Sequence, residues 1–387
     1  MIKVIKEYLK KNRFVLNVYE LIFQRPIVNY FKKQYSKKVL FSYSTYHFNK
    51  KNYVAHSNYQ ESLVIAKIFD EMGYMVDIYN NNREYKINFD NYDVVFGEGM
   101  PMFQAIQQNT NALTIYYATG SHPWQCSQAS LNRVVDYYKK NNFLALDSTR
   151  LQDYKWGLAA SLSDAVIVIG NNNTKKTFID NGASHIYKIN PTFHIKKEAK
   201  EIQKTQNSLK SMLYFASYGL LHKGLDLAVE AFRELPDWTL HVCGYTEREN
   251  EFMQSLNLPK NVIVHGFIDI ESSLFQKLSE NCGYVILPSS SEGIATAILT
   301  AMGRGAMIPV VTKECGINID DFGILIEDLT VKSVKKAIEH CKMISYDELM
   351  INSKKAMEKA YDAYTLLNYE NTMKEHLNTI LMGAKNG

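Results

Sequence analysis

The chain has 387 residues and a formal charge of +4, from 44 Lys and Arg against 40 Asp and Glu. This length exceeds one ordinary core and fits two domains of ~150–200 residues. Hydrophobic residues make up 46% and charged residues 22% of the chain, which excludes a disordered or fibrous protein. The small net charge argues against a nucleic-acid partner. Five scattered cysteines indicate neither a zinc site nor a disulfide framework.

The positive charge is concentrated at the N-terminus. Residues 1–38 hold ten Lys or Arg and two Glu, a net +8, so the remaining residues have a net −4. Apolar residues at helical spacing, together with aromatic residues, predict a basic amphipathic helical arm that suits an anionic membrane surface. The alternative is a surface helix packed on the N-terminal domain. With no signal peptide or spanning segment recognised, we expect a cytoplasmic protein that this arm attaches peripherally to the inner face of the cell membrane.

Strands and helices alternate through residues 39–195, which we predict to be a Rossmann-like N-terminal domain. A loop and a long helix are expected over residues 56–72. Short apolar runs predict buried strands at residues 39–44, 75–79, 93–96, 113–118 and 165–169. This alternation is typical of a parallel sheet with helices on both faces.

The same alternation restarts after a polar stretch, residues 196–210, which predicts a linker. A second Rossmann-like domain is expected over residues 211–345, followed by C-terminal helices (346–387) that cross back to the N-terminal domain. Its predicted strands are residues 212–216, 240–243, 262–265, 284–287, 308–311 and 324–326. The fold class is therefore α/β, with two doubly wound parallel-sheet domains facing a cleft. In such sheets, ligands bind at the carboxyl ends of the strands.

The most informative segment is LPSSSEGIATAILTAMGRGAMIPVV, residues 287–311. It predicts a buried strand, a turn of small polar residues and a helix. Backbone N–H groups at the helix start can hold an anion, and the carboxylate of Glu292 can accept hydrogen bonds from sugar hydroxyls. The alternative is that Ser291-Glu292-Gly293 is only a helix cap.

A second segment, FASYGLLHKGLDLAVEAF (residues 215–232), has a Lys where a strand passes into an amphipathic helix. Lys223 at a helix start is electrostatically unfavourable, and a bound diphosphate would reverse the sign of that interaction. The alternative is that Lys223 is a solvated surface residue.

Together these segments resemble the nucleotide-binding domain of the family 4 retaining glycosyltransferases (glycosyl transferases group 1), which have the GT-B fold. The resemblance covers residues 211–330. The matching residues are Lys223-Gly224, Ser291-Glu292-Gly293, Ala301-Met302, Gly305 and Pro309-Val310-Val311. The pattern Ser-x-Gly-x-x-His-Lys-Gly-Leu-Asp-Leu also looks like a subgroup associated with surface-polysaccharide assembly.

The resemblance implies a metal-independent sugar transferase without a cofactor, which uses a nucleotide-diphosphate sugar as donor and a glycan or lipid-linked acceptor. It implies catalytic roles for His122, Glu292 and Lys223, with a loop cap as the alternative for His122. The implied donor-binding residues are Ser217, Gly219, Leu220, Lys223, Gly244, Phe267, Ser290, Ser291, Gly293, Ile294, Ala295, Thr296 and Thr300. The implied acceptor-binding residues are His56, Asn58, Glu61, Gly120 and Asn171, with helix capping as the alternative for the first three.

Two positions depart from the family pattern. Its second Glu, which holds the ribose, falls at Thr300, and its diphosphate-binding Arg falls at Tyr218. We expect the backbone amides of Gly219 and Leu220 to take over the phosphate contact. The departures leave open a non-catalytic GT-B module that binds a glycan or a partner, and a sugar-nucleotide epimerase remains a third possibility. Arg133 is expected to be a surface residue, with a phosphate contact as the alternative.

Overall fold

The computed structural model describes residues 25–49, 57–193, 203–244 and 246–383. His56, most of the predicted arm and part of the predicted linker lie outside the described residues. In the described part of the chain, no helix combines the length and apolarity needed to cross a bilayer.

The first half of the chain forms a parallel six-stranded sheet. Its strands are β1 (Lys37–Ser42), β2 (Tyr74–Tyr79), β3 (Val94–Gly97), β4 (Leu113–Ala118), β5 (Ala165–Ile169) and β6 (Ile186–Ile189). Their order is β2-β1-β3-β4-β5-β6. The sequence predicted the first five. It missed β6 because this edge strand has only four residues, with Tyr and Lys between two Ile residues, and is only partly buried.

Six helices are described in this half. They are α1 (Tyr46–Asn49), α2 (Ser57–Glu71), α3 (Met100–Gln107), α4 (Pro123–Asn141), α5 (Tyr154–Leu162) and α6 (Asn172–Ile179). The strand order reverses between β1 and β3, so the crossovers leave a crevice at the carboxyl ends of these two strands.

The second half forms another parallel six-stranded sheet, and all six of its strands were predicted. They are β7 (Ser211–Phe215), β8 (Thr239–Cys243), β9 (Val262–Gly266), β10 (Tyr284–Leu287), β11 (Ile308–Thr312) and β12 (Ile324–Ile326). Their order, β12-β11-β10-β7-β8-β9, reverses between β7 and β10. The segments that carry Lys223 and Glu292 follow these two strands, at the position where open α/β sheets bind ligands.

The helices of the second half are α7 (Leu225–Arg233), α8 (Asn250–Ser255), α9 (Ser273–Asn281), α10 (Thr296–Gly305), α11 (Val331–Lys342), α12 (Tyr346–Ala363) and α13 (Leu366–Gly383). The helical stretch predicted over residues 347–381 is thus two helices. The first, α12, packs on α10, whereas α13 packs on α2 and β6 of the first half. The hydroxyls of Tyr117 and Tyr369 lie 2.8 Å apart at this contact.

The described end of the predicted arm packs on the first sheet. Ile27 forms an antiparallel bridge with Ile78, and the Tyr30 ring packs edge-on against Phe48 with centroids 5.3 Å apart. The Lys38 ammonium lies 2.8 Å from the carboxylate of the buried Asp77. This stretch therefore packs on the N-terminal domain, as in the alternative, but residues 25–38 contain no helix, so the helical prediction is wrong for them.

The described part of the predicted linker contains a buried cation. The ammonium of Lys204 donates to the carbonyls of Ser279, Cys282 and Gly305, at 2.7, 2.8 and 2.7 Å respectively. These carbonyls lie at the ends of α9 and α10, where helical carbonyls lack intrahelical partners and a cation complements the helix dipoles. Lys204 thereby fixes the chain to the second domain before β7 begins.

We predict that Lys204→Met lowers the free energy of unfolding by about 2–4 kcal/mol, because it leaves three buried carbonyls without their charged donor. Urea unfolding followed by circular dichroism measures this change. Lys210→Met alters an exposed lysine on the same segment and should stay within about 0.5 kcal/mol of the wild type. Equal effects of the two substitutions would contradict the role assigned to Lys204.

Candidate functional site

A cavity of about 280 Å³ lies in the cleft between the two sheets. The N-terminal half contributes most of its wall, and the turn after β10 contributes the rest. The lining residues are Glu98, Tyr116, Ala118, Thr119, Gly120, Ser121, Pro123, Cys126, Arg150, Gln152, Trp156, Ser291 and Glu292. Of the residues implied by the resemblance, Gly120, Ser291 and Glu292 thus face this cavity.

One buried carboxylate and two cations form a cluster beside the cavity. The Lys223 Nζ lies 2.8 Å from the Glu292 Oε1, and the Arg150 Nη1 lies 3.5 Å from the Glu292 Oε2. Ser289 also donates to the Glu292 Oε1 at 3.0 Å. The side chains of Lys223 and Glu292 are 8% and 11% exposed, so Lys223 is not a solvated surface residue. Two cations against one carboxylate leave a single positive charge in excess.

The cluster keeps Glu292 ionised. Burial by itself raises the pKa of this carboxyl group, but the charges of Lys223 and then Arg150 outweigh it and lower the pKa to about 2. Throughout the neutral range Glu292 is therefore a hydrogen-bond acceptor and cannot donate a proton.

Backbone packing fixes Lys223 against the end of β10. Gly224 has a φ of +71°, and a Cβ there would lie 2.2 Å from the Pro288 carbonyl oxygen, so only glycine fits. Behind the turn, a ring nitrogen of the fully buried His222 lies 2.8 Å from the Ser291 carbonyl oxygen. Burial lowers the pKa of His222 to about 4. A neutral imidazole therefore lies between the turn after β7 and the turn after β10.

The second cation, Arg150, comes from the opposite half of the chain. It crosses the backbone of Gly219 so closely that a Cβ there would lie 2.5 Å from the Arg150 Cδ. Tyr218 donates its hydroxyl to the Thr149 carbonyl at 2.7 Å. Tyr218, which stands at the family's Arg position, therefore anchors the backbone beside Arg150.

The Glu249 carboxylate accepts hydrogen bonds from the backbone amides that we expected to bind phosphate. Gly219 and Leu220 donate their N–H groups to the two oxygens of Glu249, each at 2.7 Å. Ser148, from the N-terminal half, donates its hydroxyl to Glu249 and accepts from the Leu221 N–H at 2.7 Å. Burial raises the pKa of Glu249. In this structure Glu249 therefore occupies the predicted phosphate contact, and a diphosphate would bind these amides only by displacing that carboxylate.

The helix after β10 begins later than the sequence indicated. The amides of Ser290 and Glu292 donate to the carbonyls of His222 and Glu314, both at 3.0 Å, and α10 starts only at Thr296. Glu292 precedes the helix by four residues, so the helix-cap alternative is wrong. The electrostatic potential at this turn therefore comes mainly from charged side chains, and less from free backbone N–H groups of a helix start.

His122 is buried and does not line the cavity, so its predicted catalytic role is wrong and the capping alternative is correct. Its side chain caps α4 by accepting from the Trp124 N–H at 3.3 Å, and its other ring nitrogen lies 3.1 Å from the Ser161 hydroxyl. Burial lowers the pKa of the imidazole to about 4. The neighbouring residues Ser121 and Pro123 line the cavity in its place.

Three further predictions are also corrected by the contacts observed. Glu61 is 1% exposed and accepts from the Thr192 N–H at 2.7 Å, so it braces the domain and does not reach an acceptor. Thr300 is 5% exposed and donates its hydroxyl to the Thr296 carbonyl at 2.9 Å within α10, so toward a ribose this hydroxyl could act only as an acceptor. Arg133 is buried and contacts both Asp226 oxygens, at 2.7 and 2.6 Å.

The remaining predicted residues are spread over the second domain and the cleft rim. Asn58 is half-buried on α2, whereas Asn171 caps α6 and borders a separate cavity of about 320 Å³ together with Ile294. Ser217 and Phe267 are exposed, Thr296 is half-buried, and Gly244, Ser290 and Ala295 are buried. Gly293 packs against Gly120, since a Cβ on Gly293 would lie 3.0 Å from the Gly120 Cα.

Sequence reasoning missed three charged residues of the site: Glu98, Arg150 and Glu249. Only Glu98 has a local signal, because it stands between two glycines directly after a strand. Burial raises the pKa of Glu98 to about 7. Among the described residues, no group of three or more His, Cys, Asp or Glu side chains is arranged to hold a metal ion.

Comparison with known proteins agrees with this geometry. Residues 196–349 match the family model Glycosyl transferases group 1. The matched segment, which includes β7, β10 and the turns that carry Lys223 and Glu292, is therefore similar to the glycosyl transferases group 1 domain. No curated protein matches the chain significantly.

Several solved structures share the whole fold. Alr3699/HepE of Anabaena, solved with UDP and glucose, is 13% identical, with a TM-score of 0.55 and coverage of 89% of this chain and 100% of that one. Sucrose-phosphate synthase of Thermosynechococcus elongatus is 13% identical, with a TM-score of 0.60 and coverage of 90% and 100%. A glycosyltransferase of Rickettsia africae is 15% identical, with a TM-score of 0.53 and coverage of 91% and 100%. These similarities confirm the expected two-domain GT-B fold.

Proposed function

We propose that the chain is a retaining glycosyltransferase of family 4, which moves a sugar from a nucleotide-diphosphate sugar to an acceptor hydroxyl. The observation that carries the proposal is the cluster of Lys223, Arg150 and Glu292 at the β7/β10 switch point. A donor diphosphate there would be stabilised by the two cations, and its sugar hydroxyls could donate to Glu292. HepE, a protein of the same fold, was solved with UDP-glucose, which supports a nucleotide-sugar donor.

In the proposed reaction, the bond between the anomeric carbon and the diphosphate oxygen breaks, and its electron pair leaves with the diphosphate. The acceptor oxygen forms the new bond to that carbon on the same face, and its proton passes to the departing diphosphate. Lys223 and Arg150 stabilise the charge that develops on the leaving group. Glu292 orients the sugar. This scheme assigns no step to a metal ion or cofactor.

We predict that Lys223→Ala lowers the rate of nucleoside diphosphate release by about 100-fold and Arg150→Ala by about 10- to 100-fold, because each removes a charge-assisted contact to the leaving group. The assay incubates UDP-glucose, UDP-galactose, UDP-N-acetylglucosamine and GDP-mannose with the full chain and candidate glycan acceptors. Lys139→Ala, on an exposed face of α4, is the matched control. No turnover with any donor, despite nucleotide binding, would favour the non-catalytic module. A new sugar nucleotide formed without acceptor would favour the epimerase.

We also propose that the enzyme acts on a glycan or lipid-linked acceptor in cell-surface polysaccharide assembly, while attached peripherally to the membrane. The subgroup pattern around His222-Lys223-Gly224 supports the role in polysaccharide assembly. Membrane attachment rests on residues 1–24, which hold five Lys or Arg and two Glu, a net +3. The described stretch from Ile27 onward packs on the first sheet and is less available for a membrane.

The membrane proposal predicts that the full chain sediments with vesicles containing anionic phospholipid, and that binding falls with increasing salt. Replacing Lys3, Lys6, Lys10 and Lys11 with Gln should reduce vesicle binding at least fivefold, since each basic residue near such a surface contributes about 1 kcal/mol. Replacing Lys332, Lys336, Lys354 and Lys277, which lie on helices of the second domain, changes the net charge equally and is the control. Equal loss in both variants would contradict a membrane role for the N-terminus.

A further inference from the structure

The carboxyl edge of the first sheet has its own switch point, between β1 and β3, and Glu98 lies there directly after β3. Gly97 and Gly99 have φ angles of +124° and +81°. A Cβ on Gly97 would lie 2.1 Å from the Ser42 carbonyl oxygen, and one on Gly99 would lie 2.1 Å from the Asn81 carbonyl oxygen. The two glycines therefore press the Glu98 turn onto the ends of β1 and β2.

Hydrogen bonds fix this turn further. The Glu98 N–H donates to the Ser42 carbonyl at 3.0 Å, and the Ser42 hydroxyl donates back to the Glu98 carbonyl. The Asn81 side-chain amide donates to the Glu98 Oε1 at 3.0 Å. A carboxylate held in this way is pre-organised, because neither its backbone nor its side chain needs to be ordered by a ligand.

The carboxylate of Glu98 lines the same cavity as Glu292 and Arg150, and it belongs, like Arg150, to the domain opposite Glu292. It does not contribute to the cation cluster. In the described part of the chain, the titratable groups beside Glu98 are Tyr43 and Tyr116, and their raised pKa keeps both protonated. The other charged residues that line the cavity are Arg150 and Glu292. Glu98 is thus a buried carboxylate that faces the cavity without a cation of its own.

The cavity continues into a groove on the N-terminal domain. Gln152 and Trp156 border both the cavity and this groove, which has a volume of about 450 Å³. The other lining residues are mostly polar or charged, with two apolar ones among them: Asn82, Glu84, Asp153, Lys155, Met100 and Leu151. A half-buried aromatic ring flanked by hydrogen-bonding groups suits a ligand with apolar ring faces and many hydroxyls, and not an apolar lipid chain.

We propose that Glu98 binds a hydroxyl of a carbohydrate acceptor beside the reacting one, and that the rest of that acceptor lies along Trp156 and Gln152 in the groove. This inference rests on the proposed function, since it assigns the acceptor to the side of the cavity opposite the donor cluster. Glu98 accepts a hydrogen bond from the neighbouring hydroxyl and thereby orients the acceptor toward the sugar held at Glu292, while the proton of the reacting hydroxyl still passes to the departing diphosphate.

The test measures binding of methyl glycosides and disaccharides of glucose, galactose and N-acetylglucosamine to the full chain by calorimetry, and transfer to the sugar that binds best. Glu98→Gln should weaken acceptor binding and raise the acceptor KM at least tenfold, with the KM for the donor within twofold of the wild type. Trp156→Ala should also raise the acceptor KM at least tenfold. Asp136→Asn, an exposed carboxylate on α4, is the control and should change neither value.

A second readout separates a binding role from a structural one. Because the pKa of Glu98 is about 7, the acceptor KM of the wild type should rise as the pH falls from 8 to 6, and this rise should disappear in Glu98→Gln. Glu98→Asp, which keeps the charge, should retain the pH dependence. Unchanged acceptor KM in Glu98→Gln, an equal loss of donor binding, or absence of binding by every carbohydrate would overturn the proposal. Carbohydrate binding without nucleotide release from any donor would instead count against the proposed function alone.

Discussion

The arrangement of the cleft depends on the burial of one carboxylate. Glu292 is 11% exposed, and a carboxylate removed from water to that degree is costly without compensating charge. The compensation comes from both domains, since Lys223 belongs to the second and Arg150 to the first. Separating the domains would remove Arg150 from the pair, so the protonation state of Glu292 and the closure of the cleft are linked.

Other contacts between the halves are similar, because a polar group of one half forms a hydrogen bond with a buried group of the other. Arg133 binds both oxygens of Asp226, and Ser148 shares Glu249 with the turn after β7. The cavity of about 280 Å³ is at the lower end of the range for ligand pockets. A nucleotide sugar would therefore enter only when some of these contacts separate, and Glu249 is the contact that a diphosphate would most directly replace.

Much of the fold could be predicted from the sequence because its strands are short apolar runs bounded by turn residues. The exception, β6, is an edge strand whose residues are only partly buried. Lys223 and Glu292 were predictable because each follows a strand at the β7/β10 switch point, within segments of fixed local geometry. Arg150 and Glu249 were not, since each acts on residues that are distant in the sequence and no local pattern marks them.

The wrong predictions have a common physical cause. His122, Glu61 and Thr300 were assigned to a ligand, but each forms a hydrogen bond within the protein, to Ser161, Thr192 and the Thr296 carbonyl respectively. A polar residue type at a strand end is equally able to cap a helix or brace a domain. Only the geometry of the fold decides which of these roles it has.

The most direct test of the central claim is calorimetric titration of UDP, GDP, ADP and dTDP into the wild type, Lys223→Met, Arg150→Met and the double variant. If the two cations bind one diphosphate from opposite domains, each single substitution should weaken binding of the preferred nucleotide at least tenfold. The loss of nucleotide affinity in the double variant should be smaller than the product of the two single losses, because loss of one cation already disrupts the shared site. Unchanged affinity in Arg150→Met, or no binding of any of the four nucleotides by the wild type, would contradict the account.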